Sequence, residues 1–137
     1  MVGPALNQLH AHRAIHEGGL TGAIDRMEEF MELYNAKKTE EANVAADDLL
    51  DYWETRVLSH AEAEESGFYQ AKVDANPDLK EAVTKLIRDH DILRMIVKDI
   101  HEIRQKEGLN EAVIQKLYAL ITVNELHSRE EERLLFE

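Results

Sequence analysis

The chain is predicted to be all-α, an up-down-up-down antiparallel four-helix bundle. Apolar residues recur at spacings of three, four and seven along four long stretches. No run of alternating β-branched residues appears, and only two prolines interrupt 137 residues. Short connections between the stretches set neighbouring helices antiparallel. A chain of this length is expected to form a single domain over residues 1–137, able to bury a core without covalent staples.

Punctuation places the helices at about 5–36, 40–71, 77–107 and 111–135. "NAKKTEE" closes the first, with Thr39 a candidate N-cap for the second. In "DANPDLKEAV", Asn76 can cap and Pro77 suits the first position of the third helix. "KEGLNEAV" supplies Gly108 as a stop and Asn110 as a new cap. The inward stripe of helix 1 runs through Leu9, His16, Met27, Phe30 and Tyr34; that of helix 2 through Leu49, Trp53, Val57 and Phe68. Helix 3 offers Leu79, Val83, Leu86, His90 and Val97, and helix 4 offers Val113, Leu117, Leu120 and Leu134. The halves echo one another: "VLSHAEAEESGFY" resembles "NELHSREEERLLF", and "IHEGGLTGAI" parallels "DHDILRMIV". A pseudo-twofold arrangement follows, with helices 1 and 3 equivalent and helices 2 and 4 equivalent.

Composition removes several functions. With no cysteine, thiolate metal sites and thiol nucleophiles are excluded, and a cytoplasmic location is expected. "MVGPALNQLHAH" lacks a basic start followed by an apolar run, so no signal peptide is expected. No apolar run approaches the roughly 18 residues of a membrane span. The net charge of −12 argues against nucleic acid or an anionic membrane as partner.

The seven histidines carry the chemistry. His60 and Glu64 are four apart, so they share one helix face, and His127 and Glu131 repeat the relation. His16 and His90 lie on the inward stripes of the other two helices. In an antiparallel bundle the depths of these six residues approximately coincide. Four buried histidines each need a partner for every polar nitrogen, which a cation among them supplies. A metal site in the bundle core is therefore predicted. Imidazole and carboxylate without thiolate suit iron, manganese or zinc, and two carboxylates able to bridge favour two ions. The ferritin-like Glu-x-x-His arrangement is absent, because no histidine has glutamate three positions earlier. "HRAIH" is not a zinc-protease motif either, since Arg13 stands where the glutamate base belongs.

Histidine in helix 1, His-x-x-x-Glu in helix 2, histidine in helix 3 and His-x-x-x-Glu in helix 4 resemble the hemerythrin-like, or HHE cation-binding, family. The resemblance is carried by "IHEGGL", "SHAEAEE", "RDHDIL" and "LHSREEERLLF". It implies a non-haem centre of two iron ions with an oxo or hydroxo bridge. Glu64 and Glu131 would bridge, His16, His60, His90 and His127 would be terminal ligands, and oxygen would take an open position. Oxygen-carrying members have a further histidine four residues before the helix-3 ligand, where this chain has Leu86. Their helix-4 carboxylate stands five residues after its histidine, which makes Glu132 an alternative to Glu131. His12, four before His16, is a candidate fifth histidine ligand moved to the other half.

"HEGGLTG" places Gly18, Gly19 and Gly22 inside a helix, where each glycine costs about 1 kcal/mol against alanine. Gly19, near the site, either leaves room for a small molecule or permits close packing or a break restarted at Thr21. Arg94 is expected to pair with an acid or to steer an anion. His101 lies about 16 Å along the helix from His90, too far for the same site.

The expected function is binding or sensing of oxygen, nitric oxide or iron at the carboxylate-bridged centre. Dioxygen or another small diatomic or anionic ligand would be the partner. The alternatives are a di-iron enzyme that reduces peroxide or nitric oxide or oxidises a small molecule, and a helical interaction domain holding zinc or no metal.

Overall fold

Helix α1 spans Leu9–Asn35, α2 occupies 39–75, α3 spans Lys80–Glu107 and α4 spans Glu111–Phe136. The structure is a computed structural model describing residues 9–136, and the expected start of helix 1 near residue 5 lies outside them. No strand occurs among the described residues. Helix α1 packs on α2 and α4, α3 packs on α4, and the later part of α2 closes the ring against α3. The result is a four-helix bundle. No described helix is long and apolar enough to cross a membrane.

The connections are short and locally determined. Lys37, at φ 60°, closes α1: its N–H donates to the Tyr34 carbonyl at 3.0 Å, and Lys38 N–H to Leu33 at 3.1 Å. Thr39 is already helical, so the cap position falls on Lys38 with no side-chain cap bond. Helix α2 continues past the expected 71 to Ala75, because the first residue barred from helical angles is Asn76. It precedes Pro77 and is extended, at φ −147° and ψ 96°. The Asn76 side chain accepts the Asp78 N–H at 3.1 Å, and Pro77–Leu79 form one 3-10 turn before α3 begins. Gly108, at φ 78°, ends α3, and Asn110 Oδ1 accepts the Val113 N–H at 3.0 Å to start α4.

Two π-helical turns, Trp53–Leu58 and Glu64–Phe68, flank the short α-helical stretch Ser59–Ala63 within α2. In an α-helix a residue five positions on lies about 140° round the axis, whereas a π turn, with its i to i+5 bonding, brings it nearly into line. Phe68 and Tyr69 are both buried as a result, although regular spacing turns only Phe68 inward.

Helix α1 runs through its three glycines without a break. A methyl group on Gly22 would overlap the Tyr52 hydroxyl and lie 2.7 Å from its Cζ. That hydroxyl donates to the Gly19 carbonyl at 2.8 Å, so Gly22 lets α2 approach. Gly19 is different: a Cβ there would meet nothing within 4 Å.

Buried apolar side chains form two clusters. The larger, around Phe30, Trp53, Leu93 and Leu117, fills one end of the bundle, and the smaller joins Phe68, Tyr69, Val83, Leu86 and Leu135. Leu135 takes the inward position expected of Leu134, which is half-buried. The expected inward residues Leu9, Tyr34, Val57 and Leu79 are also half-buried.

Phe30 is fully enclosed, so Phe30→Ala should cost about 3–5 kcal/mol in urea unfolding. Val44→Ala, at a position 69% exposed, should stay within about 0.5 kcal/mol.

Candidate metal centre

Polar side chains converge between the two apolar clusters. His12 and His16 come from α1, His60 and Glu64 from α2, His90 from α3, and His127 and Glu131 from α4. His12, Glu64, His90, His127 and Glu131 are buried, and His16 and His60 partly so. The candidate ligand atoms fall into two groups, each with all members within 4.8 Å of one another. One group is His12, His16, His60 and Glu64; the other is Glu64, His90, His127 and Glu131.

Each carboxylate faces both ways. Glu64 Oε2 lies 3.2 Å from His12 Nε2 and 3.5 Å from His60 Nε2, while its Oε1 lies 3.4 Å from His90 Nε2. Glu131 Oε1 contacts His12 Nε2 and lies 3.4 Å from His16 Nε2. Its Oε2 lies 3.1 Å from His127 Nε2, and the His90 and His127 Nε2 atoms approach to 2.9 Å. Thus the structure brings together His16, His60, Glu64, His90, His127 and Glu131, with His12 among them. Glu132 lies outside this layer, on the far side of the His16 ring.

Three buried atoms of the layer, His12 Nδ1, His60 Nε2 and Glu64 Oε2, have no hydrogen-bond partner among the described residues. Such atoms carry a desolvation penalty unless something pairs with them. His60 Nε2 and Glu64 Oε2 face each other across 3.5 Å without a hydrogen bond, as two donor atoms of one cation do. Nitrogen and oxygen donors without thiolate can hold iron, manganese or zinc. The residues present fit a metal centre.

Carboxylates brace the rings from outside. His16 Nδ1 lies 2.9 Å from Glu132, His90 Nδ1 2.7 Å from Glu65, and His127 Nδ1 2.9 Å from Asp89. An acceptor on Nδ1 fixes the tautomer that presents Nε2 inward and makes that nitrogen a better donor. Arg13 holds Glu132 at 2.7 Å, and Arg94 holds Glu65 at 2.7 Å and Asp91 at 3.0 Å. The expected acid partner of Arg94 is therefore present. His101 pairs with Glu54 at 2.8 Å, away from the centre. His10 is exposed.

Sequence periodicity passed over Glu65, Asp89 and Tyr69. Glu65 and Asp89 sit beside Glu64 and His90, off the inward face, yet both reach a ring. Their adjacency to candidate ligands was the available signal. Tyr69 had none, because only the π turn rotates it inward. Its hydroxyl donates to Glu131 Oε2, and its ring stacks on His90 with centroids 5.7 Å apart.

Electrostatics follow from the crowding of acids and imidazoles. Burial alone lowers the pKa of His12, but its bonds to Glu131 and Glu64 outweigh this and raise it from 6.5 to about 9. His127 likewise rises to about 9: burial opposes, while Asp89 and Glu131 prevail. Burial pushes the Glu64 and Glu131 carboxyls up, yet the surrounding histidines hold both below the usual carboxylate value. Burial and the Glu131 charge keep the Tyr69 phenol protonated far above its ordinary range.

A sequence model of the hemerythrin HHE cation binding domain matches residues 20–137. The chain belongs to the hemerythrin HHE cation-binding domain family. It is a metal-binding protein of the carboxylate–histidine type. The match to the hemerythrin domain includes His60, Glu64, His90, His127 and Glu131, and begins after His12 and His16, whose place in the cluster rests on geometry. Searches of curated proteins and of solved structures returned no match.

Raised histidine pKa values stabilise the metal-free fold fully below about pH 6.5, and that contribution fades as pH climbs through about 9. The urea midpoint of metal-free protein should therefore fall between pH 6.5 and 9; a midpoint that rises there contradicts the arrangement. Metal must displace the same protons, so apparent metal affinity should strengthen over that interval.

Proposed function

We propose that this hemerythrin-like domain is a non-haem di-iron protein that binds or senses dioxygen or a similar small molecule, such as nitric oxide, at a carboxylate-bridged centre. The observation that carries the reading is the two-faced placement of Glu64 and Glu131. Each turns one oxygen toward the α1–α2 histidines and the other toward the α3–α4 histidines. A single ion does not use both oxygens of both carboxylates across such a span; two ions do. Iron, with an oxo or hydroxo bridge, is the reading preferred to manganese or zinc. It supplies open coordination places and a redox couple suited to a diatomic ligand.

The protein's own part is to bind, orient and exclude. His16, His60, His90 and His127 would hold the ions as terminal ligands, Glu64 and Glu131 would be shared between them, and His12 would add a fifth ring. Glu132, Glu65 and Asp89 orient three of the rings. A cavity of about 40 Å³, lined by Gly19, Val57, Leu93 and Asn124, reaches His16, His60, Glu64, His90 and His127. That volume admits only a few water-sized molecules, which favours a ligand of two or three atoms. Gly19 leaves its wall open, since a Cβ there would meet nothing within 4 Å. A cytoplasmic location is part of the same proposal.

Iron-reconstituted protein should contain two irons per chain and develop visible bands on exposure to dioxygen that fade when it is removed. Irreversible bands with peroxide turnover would indicate an enzyme, and a colourless, zinc-loaded protein would refute the reading. Gly19→Leu should leave iron content intact while weakening azide binding about tenfold or more, as expected for a filled cavity. Unchanged azide affinity refutes access past Gly19.

A further inference from the structure

Resting on the two-metal reading above, the centre has unequal halves. His12, His16 and His60 offer three ring nitrogens beside one oxygen from each carboxylate. His90 and His127 offer two, beside the other oxygens. The residue one turn before His90 is Leu86, 1% exposed and without a donor atom. Beneath this poorer half lies Tyr69, its ring tilted only 9° from that of His90. Its hydroxyl contacts Glu131 Oε2 and lies 3.4 Å from His127 Nε2. Phe68, which has no hydroxyl, lies against His12 in the richer half, with ring centroids 5.2 Å apart. The cavity reaches His90 and His127 from elsewhere, since neither Tyr69 nor Leu86 lines it.

The geometry points to Tyr69 as the positioning residue that makes the His90–His127 half the place where a small anion or diatomic molecule is taken up. Its neutral hydroxyl donates to the Glu131 oxygen on that side and takes up part of its negative charge. An oxygen that already accepts a strong hydrogen bond donates less to a cation. The half with fewer protein donors would thereby be kept electron-poor, and the cavity reaches it at His90 and His127. Leu86 and Tyr69 are buried together in the smaller apolar cluster and line none of the cavity. No proton leaves Tyr69 in this role. The hydroxyl orients and polarises Glu131.

The test is an azide titration of the ferric, two-iron protein and of Tyr69→Phe, which keeps the ring and its stacking on His90. Two irons and one azide per chain should persist in the variant. Azide affinity should fall about tenfold, the scale of a lost hydrogen bond to a charged group. The azide charge-transfer band should move to higher energy, which a purely packing role would not produce. A second variant, Leu86→His, places a ring nitrogen in the poorer half and should weaken azide more than Tyr69→Phe does, with iron retained. Iron-loaded Tyr69→Phe with wild-type affinity and band energy overturns the inference. So does a tyrosinate-to-iron band in azide-free wild type that Tyr69→Phe removes, since Tyr69 would then be a ligand. Unaltered azide binding in Leu86→His overturns the choice of half. Wild type that takes up no iron overturns the two-metal reading and this inference together.

Discussion

Glu64 and Glu131 set the terms for the whole bundle. Each is withdrawn from water, and a buried carboxylate without partners costs several kcal/mol. Their partners are ring nitrogens from all four helices. Sliding any helix by one turn, about 5.4 Å, would carry a nitrogen out of reach and leave charge unpaired. Apolar packing alone tolerates small shifts between helices. The polar layer does not. Packing thus supplies the bulk of stability, while the carboxylate–histidine contacts fix the register of the helices.

Holding such a layer together draws on features that look like defects in isolation. Three glycines weaken α1, but Gly22 admits the Tyr52 hydroxyl and Gly19 leaves the cavity wall bare. Two π turns interrupt α2, but the second swings Tyr69 beneath His90 and beside Glu131. Outside the layer, half-exposed acids brace the rings, and arginines brace two of those acids. Charge is thus graded from the buried carboxylates to the solvent through imidazole, acid and guanidinium.

Much of this was legible in the sequence. Helical periodicity and the signals at Asn76, Gly108 and Asn110 gave the four helices. The paired His-x-x-x-Glu spacings gave the α2 and α4 contributions, because residues four apart share a face whatever surrounds them. Inward stripes pointed to His16 and His90, and the position of His12 one turn before His16 raised it as a candidate. Regular periodicity cannot anticipate the change of helical pitch in α2, so Tyr69 stays hidden in the sequence. Leu134 and Leu135 stand three and four residues after Glu131, and regular helical spacing admits either. Nor does a face-based reading find Glu65 and Asp89, which lie beside the inward face and matter through rings on other helices. Spacing favours Glu131 and leaves Glu132 as an alternative; burial separates them, with Glu131 inside and Glu132 on the outer nitrogen of His16.

The central claim is that one layer of this bundle gathers two metal ions around a shared pair of carboxylates. Anomalous diffraction at the iron edge, from crystals of the iron-loaded protein, examines it most directly. The account predicts two peaks within the bundle, one among His12, His16 and His60 and the other beside His90 and His127, spanned by Glu64 and Glu131. A lone peak, or peaks only at the protein surface, would contradict it.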